Sequence, residues 1–369
     1  MLEFVTGAEI ISRAAIDAGC NFFAGYPITP ATGILLNMVR LMPKARGIVI
    51  QGEDEIASLG FCIGASSCGA KPMTATSGPG ISLYSENIGF AQMAELPLVI
   101  VNVQRMGPAT GGATTNAEGD IQFIRWVTSG GYPMIVLSPT TVEECYELTI
   151  EAFNLAERFR TPVVLSTCKD LVMNRSTADI SKYKRPSVIE RKTTTDPANF
   201  LPYNYTKLDD VPPFARIGGD ILTRVNTSTH NKAGMLSKDP DIAGPALIHL
   251  NEKIMKHIDE IERLDLDVQD GALTIIIAYG SMGRTSRDVI SEVRKKGNKV
   301  SLAIVKSIWP LPEKGLKKCV GGHKKIIVPE LNLGQYVLDI ERLFPDKKVV
   351  PINRVDGKLI SPETIINRI

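Results

Sequence analysis

The 369-residue sequence lacks any excess of one charge, any membrane-length apolar run and any cysteine pairs. Lys and Arg number 42 against 40 Asp and Glu, so there is no basic field to draw the chain to nucleic acid. The longest apolar stretches, 96–101 and 273–278 (broken only by Thr274), fall far short of the roughly 20 residues that span a bilayer, which excludes a membrane helix. The N-terminus MLEFVTGAEIISRA has no basic region followed by an apolar block, so no secretory leader is visible and a cytoplasmic location is expected. Cys20, Cys62, Cys68, Cys145, Cys168 and Cys319 are scattered and form no C-x-x-C pair. Iron–sulfur clusters and structural zinc need grouped thiolates, so no metal site is expected on this chain, and the cysteines read as reduced, small core residues. The four histidines, His230, His249, His257 and His323, show no metal-ligand spacing and are expected at surfaces or interfaces.

What is present is an alternation. Helix-period stretches at 7–18, 31–41, 54–66, 82–94 and 141–158 are separated by strand-like runs at 21–24, 47–50, 72–76, 98–103, 134–137 and 162–166. Strand and helix in strict turn predict an α/β fold, with a parallel sheet covered on both faces. From about residue 171 to 245 the rhythm breaks, with seven prolines from Pro186 to Pro245 among many Asn, Thr, Asp and Lys residues. That composition predicts a long irregular connection, of a length more often functional or interface-forming than idle. Leu247, Leu250, Ile254, Ile258 and Ile261 predict a helix over 247–264. Strands at 273–278, 300–305, 325–328 and 348–351, with helices at 284–296 and 335–343, make a second, smaller α/β unit. Two domains are therefore expected, 1–245 including the connection, and 246–369.

Three segments stand at strand-to-helix junctions, where open parallel sheets bind ligands. In GYPITP (25–30), two prolines three apart restrict the loop, so that the Thr29 hydroxyl has little freedom. The bland alternative makes Thr29 the N-cap of a helix starting at Pro30. In QGEDEIA (51–57), three acids sit at a helix start, where the helix dipole accounts for two of them and leaves Glu55 for chemistry. In TSGPG (76–80), two glycines permit positive φ and close approach, and their N–H groups can receive an acidic oxygen. GSMGR (280–284) also follows a strand, but it lacks a G-x-G start and an acid on the next strand end. It reads as a tight turn rather than a nucleotide site.

The order of Glu55, small residues, Gly69 and TSGPG resembles the pyrimidine-binding domain of thiamine-diphosphate enzymes. YPITP narrows this to a resemblance to the α subunit of the 2-oxoacid:ferredoxin oxidoreductases. QRMGPATG (104–111) is similar to that family's QRxGPSTG, and PELNLGQ (329–335) to its E-x-N-x-G-Q, so the likeness runs over roughly residues 5–368. Ala31 stands where Ser is commoner, and Gly112-Ala113-Thr114 departs from the usual loop.

The resemblance implies a parallel-sheet pyrimidine-binding domain followed by a smaller transketolase-C-terminal-like domain. It places Thr29 at the thiazolium and the substrate carbonyl, with Tyr26, Pro27, Ile28, Ser77 and Gly78 beside the cofactor. Glu55 would bind the aminopyrimidine, whose imino tautomer can then take the thiazolium proton. Arg105 would pair with the 2-oxoacid carboxylate through its planar fork, and Thr114 would join that pocket.

Thiamine-diphosphate enzymes also need Mg²⁺ held by a G-D-G…N motif, which neither Gly119-Asp120 nor Gly218-Gly219-Asp220 supplies. The resemblance thus implies a β subunit bringing Mg²⁺, the diphosphate site and a [4Fe–4S] cluster. It further implies a separate γ subunit, ferredoxin and coenzyme A as reaction partners, and assembly as a dimer of heteromers. The expected reaction turns a 2-oxoacid, 2-oxoglutarate by preference, into acyl-CoA and CO₂ while reducing ferredoxin. Pyruvate or branched-chain 2-oxoacids, a split non-oxidative decarboxylase and a scaffold without activity stay open as alternatives.

Overall fold

The computed structural model describes residues 2–179, 181, 183 and 185–369. Its first part runs β1 (Leu2–Thr6), α1 (Gly7–Asp17), β2 (Phe22–Gly25), α2 (Thr32–Leu41), β3 (Ile48–Gln51), α3 (Glu55–Ser67), β4 (Pro72–Thr76), α4 (Pro79–Leu83), α5 (Ser85–Met93) and β5 (Leu98–Gln104). There follow α6 (Ile121–Arg125), β6 (Ile135–Leu137), α7 (Val142–Phe159), β7 (Pro162–Cys168), α8 (Lys169–Met173) and β8 (Arg175–Asp179). After the irregular connection come α9 (Pro240–Met255), α10 (Ile258–Ile261), β9 (Leu264–Asp267), β10 (Thr274–Ala278), α11 (Gly280–Lys295), β11 (Ser301–Val305) and β12 (Ser307–Trp309). The chain ends with α12 (Glu313–Val320), β13 (Lys325–Glu330), α13 (Val337–Leu343), β14 (Lys348–Asn353) and α14 (Pro362–Ile366).

Local chemistry accounts for the helix starts. Thr6 and Glu9 form a reciprocal capping box on α1, and Thr141 caps α7 by accepting from the Glu144 N–H. Strands β4, β5 and β7 are buried along their whole length, as expected of central strands in a parallel sheet covered on both faces. The first sheet has the order β12-β6-β7-β5-β4-β2-β3, parallel throughout except for β12. The second has the order β14-β13-β10-β11-β9, with only β9 antiparallel. One apolar cluster packs α1, α2 and α7 on one face of the first sheet, and another joins its opposite face to the second unit through Ile88, Ile124, Trp309 and Tyr336.

The parallel α/β architecture expected from the sequence is present, with most elements within one or two residues. Four strands had no legible signal. β1 and β8 form a separate antiparallel ribbon, β9 is an edge strand, and β12 leaves the second unit to pair with β6 of the first sheet. The helix expected over 247–264 starts earlier, at Pro240, because Asp239 caps it by accepting from the Asp241 N–H and proline suits a first turn. That helix breaks after Met255, and Ile258–Ile261 forms a separate turn.

Among the described residues between β8 and α9 the only β-pairing is in isolated bridges, so other groups must satisfy the carbonyls. Arg160, buried at the end of α7, donates Nη1 to the carbonyls of Pro202 (3.2 Å), Pro212 (3.0 Å) and Pro213 (3.1 Å). Arg191 pairs with buried Glu157 (2.7 Å) and donates to the carbonyls of Ser66 and Ala70. Beneath α9, Lys253 Nζ lies 2.8 Å and His249 Nε2 3.2 Å from Glu95 Oε2, all three buried. Burial opposes ionisation of Glu95, but Lys253, His249 and Arg160 together hold its carboxyl below the usual range. Removing one partner of a buried pair strands the other charge, so Lys253→Met is expected to lower unfolding stability by about 3 to 5 kcal/mol. The Glu95→Gln, Lys253→Met double variant should lose less than the sum of the two single changes. Chemical denaturation of the four proteins checks both expectations.

Candidate active site

The register of the first sheet gathers the three junction motifs along one edge. Gly25 pairs with Gln51 and Thr76 with Asn102, while Asn102 and Gln104 pair with Ser166 and Cys168. YPITP, Glu55, TSGPG and Arg105 thus leave the carboxyl ends of β2, β3, β4 and β5, the edge at which parallel sheets bind ligands.

Thr29 is not a helix cap. Helix α2 begins two residues later than that reading requires, with Ala31 at the N-cap position and no side-chain bond there. Among the described residues the Thr29 hydroxyl has no hydrogen-bond partner, while its carbonyl accepts from Arg105 Nη1. Ile28 is partly buried and packs against the core, and Tyr26 and Pro27 are exposed at the rim.

The three acids at the start of α3 stand in different surroundings. Asp54 is the N-cap, its carboxylate accepting from the Ala57 N–H (2.7 Å), and Glu53 is exposed. Glu55 is only 6 % exposed, and among the described residues its carboxyl has no hydrogen-bond partner. It lies against Gly80, where a Cβ would stand 2.9 Å from Glu55 Oε1 and would overlap Thr76 Oγ1. The Gly80 N–H donates to the Ser77 carbonyl (3.0 Å), so this glycine serves to make room and not, as its motif had indicated, to receive an anion.

Arg105 is 4 % exposed and joins three loops. Its Nη1 holds the Thr29 carbonyl, Nη2 holds the Thr110 carbonyl (3.2 Å), and Nε lies 2.9 Å from where a Cβ would stand on Gly78 (φ +52°). Among the described residues the Nε–H has no partner, and neither have the buried oxygens Ser77 Oγ, Thr76 Oγ1 and Asn102 Oδ1. Thr114 sits on an exposed turn of the following loop, and no hydrogen bond joins it to Arg105 among the described residues. Sequence reasoning missed Thr110 and Asp120. Burial raises the Asp120 carboxyl above its ordinary range, against a 3.0 Å bond from Asn102 Nδ2 and the charge of Arg105. The register that brings Asn102 beside Thr76 was the signal available.

PELNLGQ has a structural role. Glu330 is fully buried and accepts from Tyr279 Oη (2.8 Å) and from the N–H groups of Tyr336 (2.8 Å) and Val337 (3.0 Å), so it caps α13. Gln335 Nε2 reaches back to the Gly119 carbonyl (2.6 Å) in the first unit. Among the described residues no group of three or more His, Cys, Asp or Glu could hold a metal ion, and no helix is long and apolar enough to cross a membrane.

An unpaired buried donor or acceptor costs about 1–3 kcal/mol, and these stand together at the binding edge of the sheet. A carboxyl without a partner, an open hydroxyl at Thr29 and a guanidinium with a free Nε–H fit an aminopyrimidine-bearing cofactor and an anionic substrate.

Comparison with known proteins identifies a thiamine-diphosphate-binding family. The family model for pyruvate flavodoxin/ferredoxin oxidoreductase, thiamine diphosphate-binding, matches residues 13–234, and pyruvate:ferredoxin oxidoreductase core domain II matches 272–365. The 2-oxoglutarate synthase subunit KorA of Methanocaldococcus jannaschii is 38% identical over 99% of this chain and 98% of its own length. The ketoisovalerate oxidoreductase subunit VorB of Methanothermobacter thermautotrophicus is 30% identical over 100% and 97%. Among solved structures, a 2-oxoglutarate:ferredoxin oxidoreductase from Magnetococcus marinus, with 2-oxoglutarate, coenzyme A and succinyl-CoA bound, has a TM-score of 0.92 at 31% identity. It covers all of this chain, which spans 64% of that chain's length. A split-gene transketolase at 12% identity, with a TM-score of 0.57, shares the fold alone.

Gly80→Ala tests the packing against Glu55. The added methyl must displace Glu55 or Thr76, and thiamine diphosphate affinity of the assembled complex should fall about tenfold or more, a loss of at least about 1.4 kcal/mol. Unchanged affinity by calorimetry would remove Glu55 from the cofactor site.

Proposed function

The chain belongs to the 2-oxoacid:ferredoxin oxidoreductases, as their α subunit, and on that premise we propose that its substrate is 2-oxoglutarate. In this reading 2-oxoglutarate, coenzyme A and oxidised ferredoxin give succinyl-CoA, CO₂ and reduced ferredoxin, once partner subunits are bound. The observation that carries the substrate is the ranking of full-length relatives. Four archaeal 2-oxoglutarate synthase subunits stand at 35–38% identity, above ketoisovalerate subunits at 30%.

Bound thiamine diphosphate supplies an acidic thiazolium carbon and an electron sink for decarboxylation. The role proposed for Glu55 is a hydrogen bond to the aminopyrimidine ring, for which its buried, unpartnered carboxyl and its fixed place at the first turn of α3 equip it. The Thr29 hydroxyl orients the substrate carbonyl, its loop held by the Arg105 bond to the Thr29 carbonyl. Of the five N–H donors of Arg105, two hold backbone carbonyls, and those left, Nε–H among them, remain for a carboxylate.

We assign Mg²⁺, the diphosphate site and the [4Fe–4S] cluster to a partner chain, and the open face of α3 to that partner. Ile56 and Phe61 are exposed there, beside Gly60 and Gly64, whose Cβ positions meet nothing within 4 Å. Helix α5 lies alongside, with Asn87 Nδ2 donating to the Ile56 carbonyl (2.9 Å), and α4 and α5 add exposed Leu83 and Phe90. The helix with this face begins at Glu55, so a partner seated on it borders the site.

The substrate is tested by screening 2-oxoacids with the purified complex for coenzyme-A-dependent viologen reduction. A preference for pyruvate or a branched-chain 2-oxoacid overturns the assignment, and CO₂ release without coenzyme A or acceptor overturns the oxidation. In that complex Glu55→Gln and Thr29→Ala should each lower kcat by about 10²-fold or more without dissociating it. Gly60→Leu has room in this chain and removes a helix glycine, so the free subunit should gain up to about 1 kcal/mol while losing assembly on gel filtration.

A further inference from the structure

Glu118 gives its N–H, its carbonyl and its carboxyl to the C-terminal unit. Its N–H donates to the Leu331 carbonyl (3.0 Å), and its carbonyl accepts from Asn332 Nδ2 (2.8 Å). The carboxyl Oε1 accepts from the Ser281 N–H (2.8 Å), at the second residue of the 16-residue α11. The residue is 2 % exposed, and both carboxyl oxygens lie 2.5 Å from where a Cβ would stand on Gly280, whose φ is +51°. Only glycine fits there, because the carboxyl of the first unit fills the turn that opens α11. The anion-accepting end of that helix is thus occupied from within the chain.

The residues after Glu118 grip both sides in turn. The Gly119 carbonyl accepts from Gln335 Nε2 (2.6 Å), and the Gln122 N–H donates to Gln335 Oε1 (3.0 Å). Asp120 faces the other way, its N–H on Gln104 Oε1 (2.9 Å) and its Oδ2 accepting from Asn102 Nδ2 (3.0 Å), both on the strand that ends beside Arg105. The loop between is closed on itself. Met106 N–H donates to the Thr115 carbonyl (2.9 Å), and Gly357 of the C-terminal unit packs against the Thr115 methyl so closely that a Cβ would overlap it.

We infer that Glu118 is a positioning residue for the reaction: through the N-terminus of α11 it fixes the loop that follows Arg105, and so sets 2-oxoacid affinity without touching the substrate. The inference rests on the reading of Arg105 as the carboxylate-binding group. Burial raises the Glu118 carboxyl above its ordinary range, against the bonds from Ser281, so glutamine is a close substitute that keeps the acceptor oxygen.

The test measures kcat and the KM values for 2-oxoglutarate and coenzyme A in the complex. Glu118→Ala should raise the 2-oxoglutarate KM about tenfold, with kcat and the coenzyme A KM held within about twofold, and Glu118→Gln should restore it. Gly280→Ala, which pushes the same carboxyl from the other side, should reproduce the alanine pattern with Glu118 present, and it stands in if Glu118→Ala does not assemble. In an Arg105→Ala background, Glu118→Ala should add little, because the two changes act on one contact. An unchanged KM in both Glu118→Ala and Gly280→Ala overturns the inference, as do equal losses in kcat and both KM values or failure of glutamine to restore. If Arg105→Ala itself leaves KM unchanged, the Arg105 reading fails instead.

Discussion

The turn at Thr76–Gly80 works through the side chains it omits, since Gly78 leaves space for the Arg105 guanidinium and Gly80 for the Glu55 carboxyl. Two polar groups from different strands are thereby brought down onto one tight turn at the end of the buried strand β4. The rest of the site hangs on them. Arg105, seated on Gly78, holds the carbonyls of Thr29 and Thr110, so the loops after β2 and β5 take their positions from a turn after β4. Glu55 needs no such tether, because the capped first turn of α3 fixes its backbone and Gly80 leaves its side chain one direction. Among the described residues the hydroxyl of Thr29, the carboxyl of Glu55 and the buried Nε–H of Arg105 have no hydrogen-bond partner. Buried polar groups are rarely left so, and pre-organisation for a ligand is the physical reason to tolerate the cost.

A cofactor with a pyrimidine and a diphosphate must be held at both ends, and the orphaned atoms here fit the first end. Helix α3 presents small residues to open space along the face next to Glu55, an arrangement that suits close approach of another backbone. In a chain that worked alone, such a face would be expected to carry larger side chains or a covering element.

Much of this was legible in the sequence because it is local. Alternating apolar runs gave the parallel sheet, and prolines, glycines and acids at three strand-to-helix junctions marked the edge where the site lies. The helix dipole could account for two of the three acids at the start of α3, which left Glu55 to be singled out. What the sequence hid was non-local. β12 is three residues long and pairs with a strand some 170 positions earlier, and nothing in Ser307–Trp309 announces a partner. The purpose of Gly80 was misread for a related reason, since a glycine can be needed for its φ, its N–H or its missing Cβ, and only the neighbours tell which.

Glu330 shows how a motif can mark a family without touching a ligand. Its carboxyl is buried where five groups, from Tyr279, Asn332, Gln335, Tyr336 and Val337, all donate to it, and it sets the turn from which Asn332 and Gln335 reach the first unit. Losing it would leave several donors unpaired in the core, a penalty incurred whatever the substrate. The packing of one unit against the other reaches, through Glu118–Gln122, the strand end that carries Arg105. The second unit is therefore tied to the candidate site edge at β2–β5 by a continuous series of hydrogen bonds. The seam between the two units acts as a part of the site's geometry rather than a boundary to it.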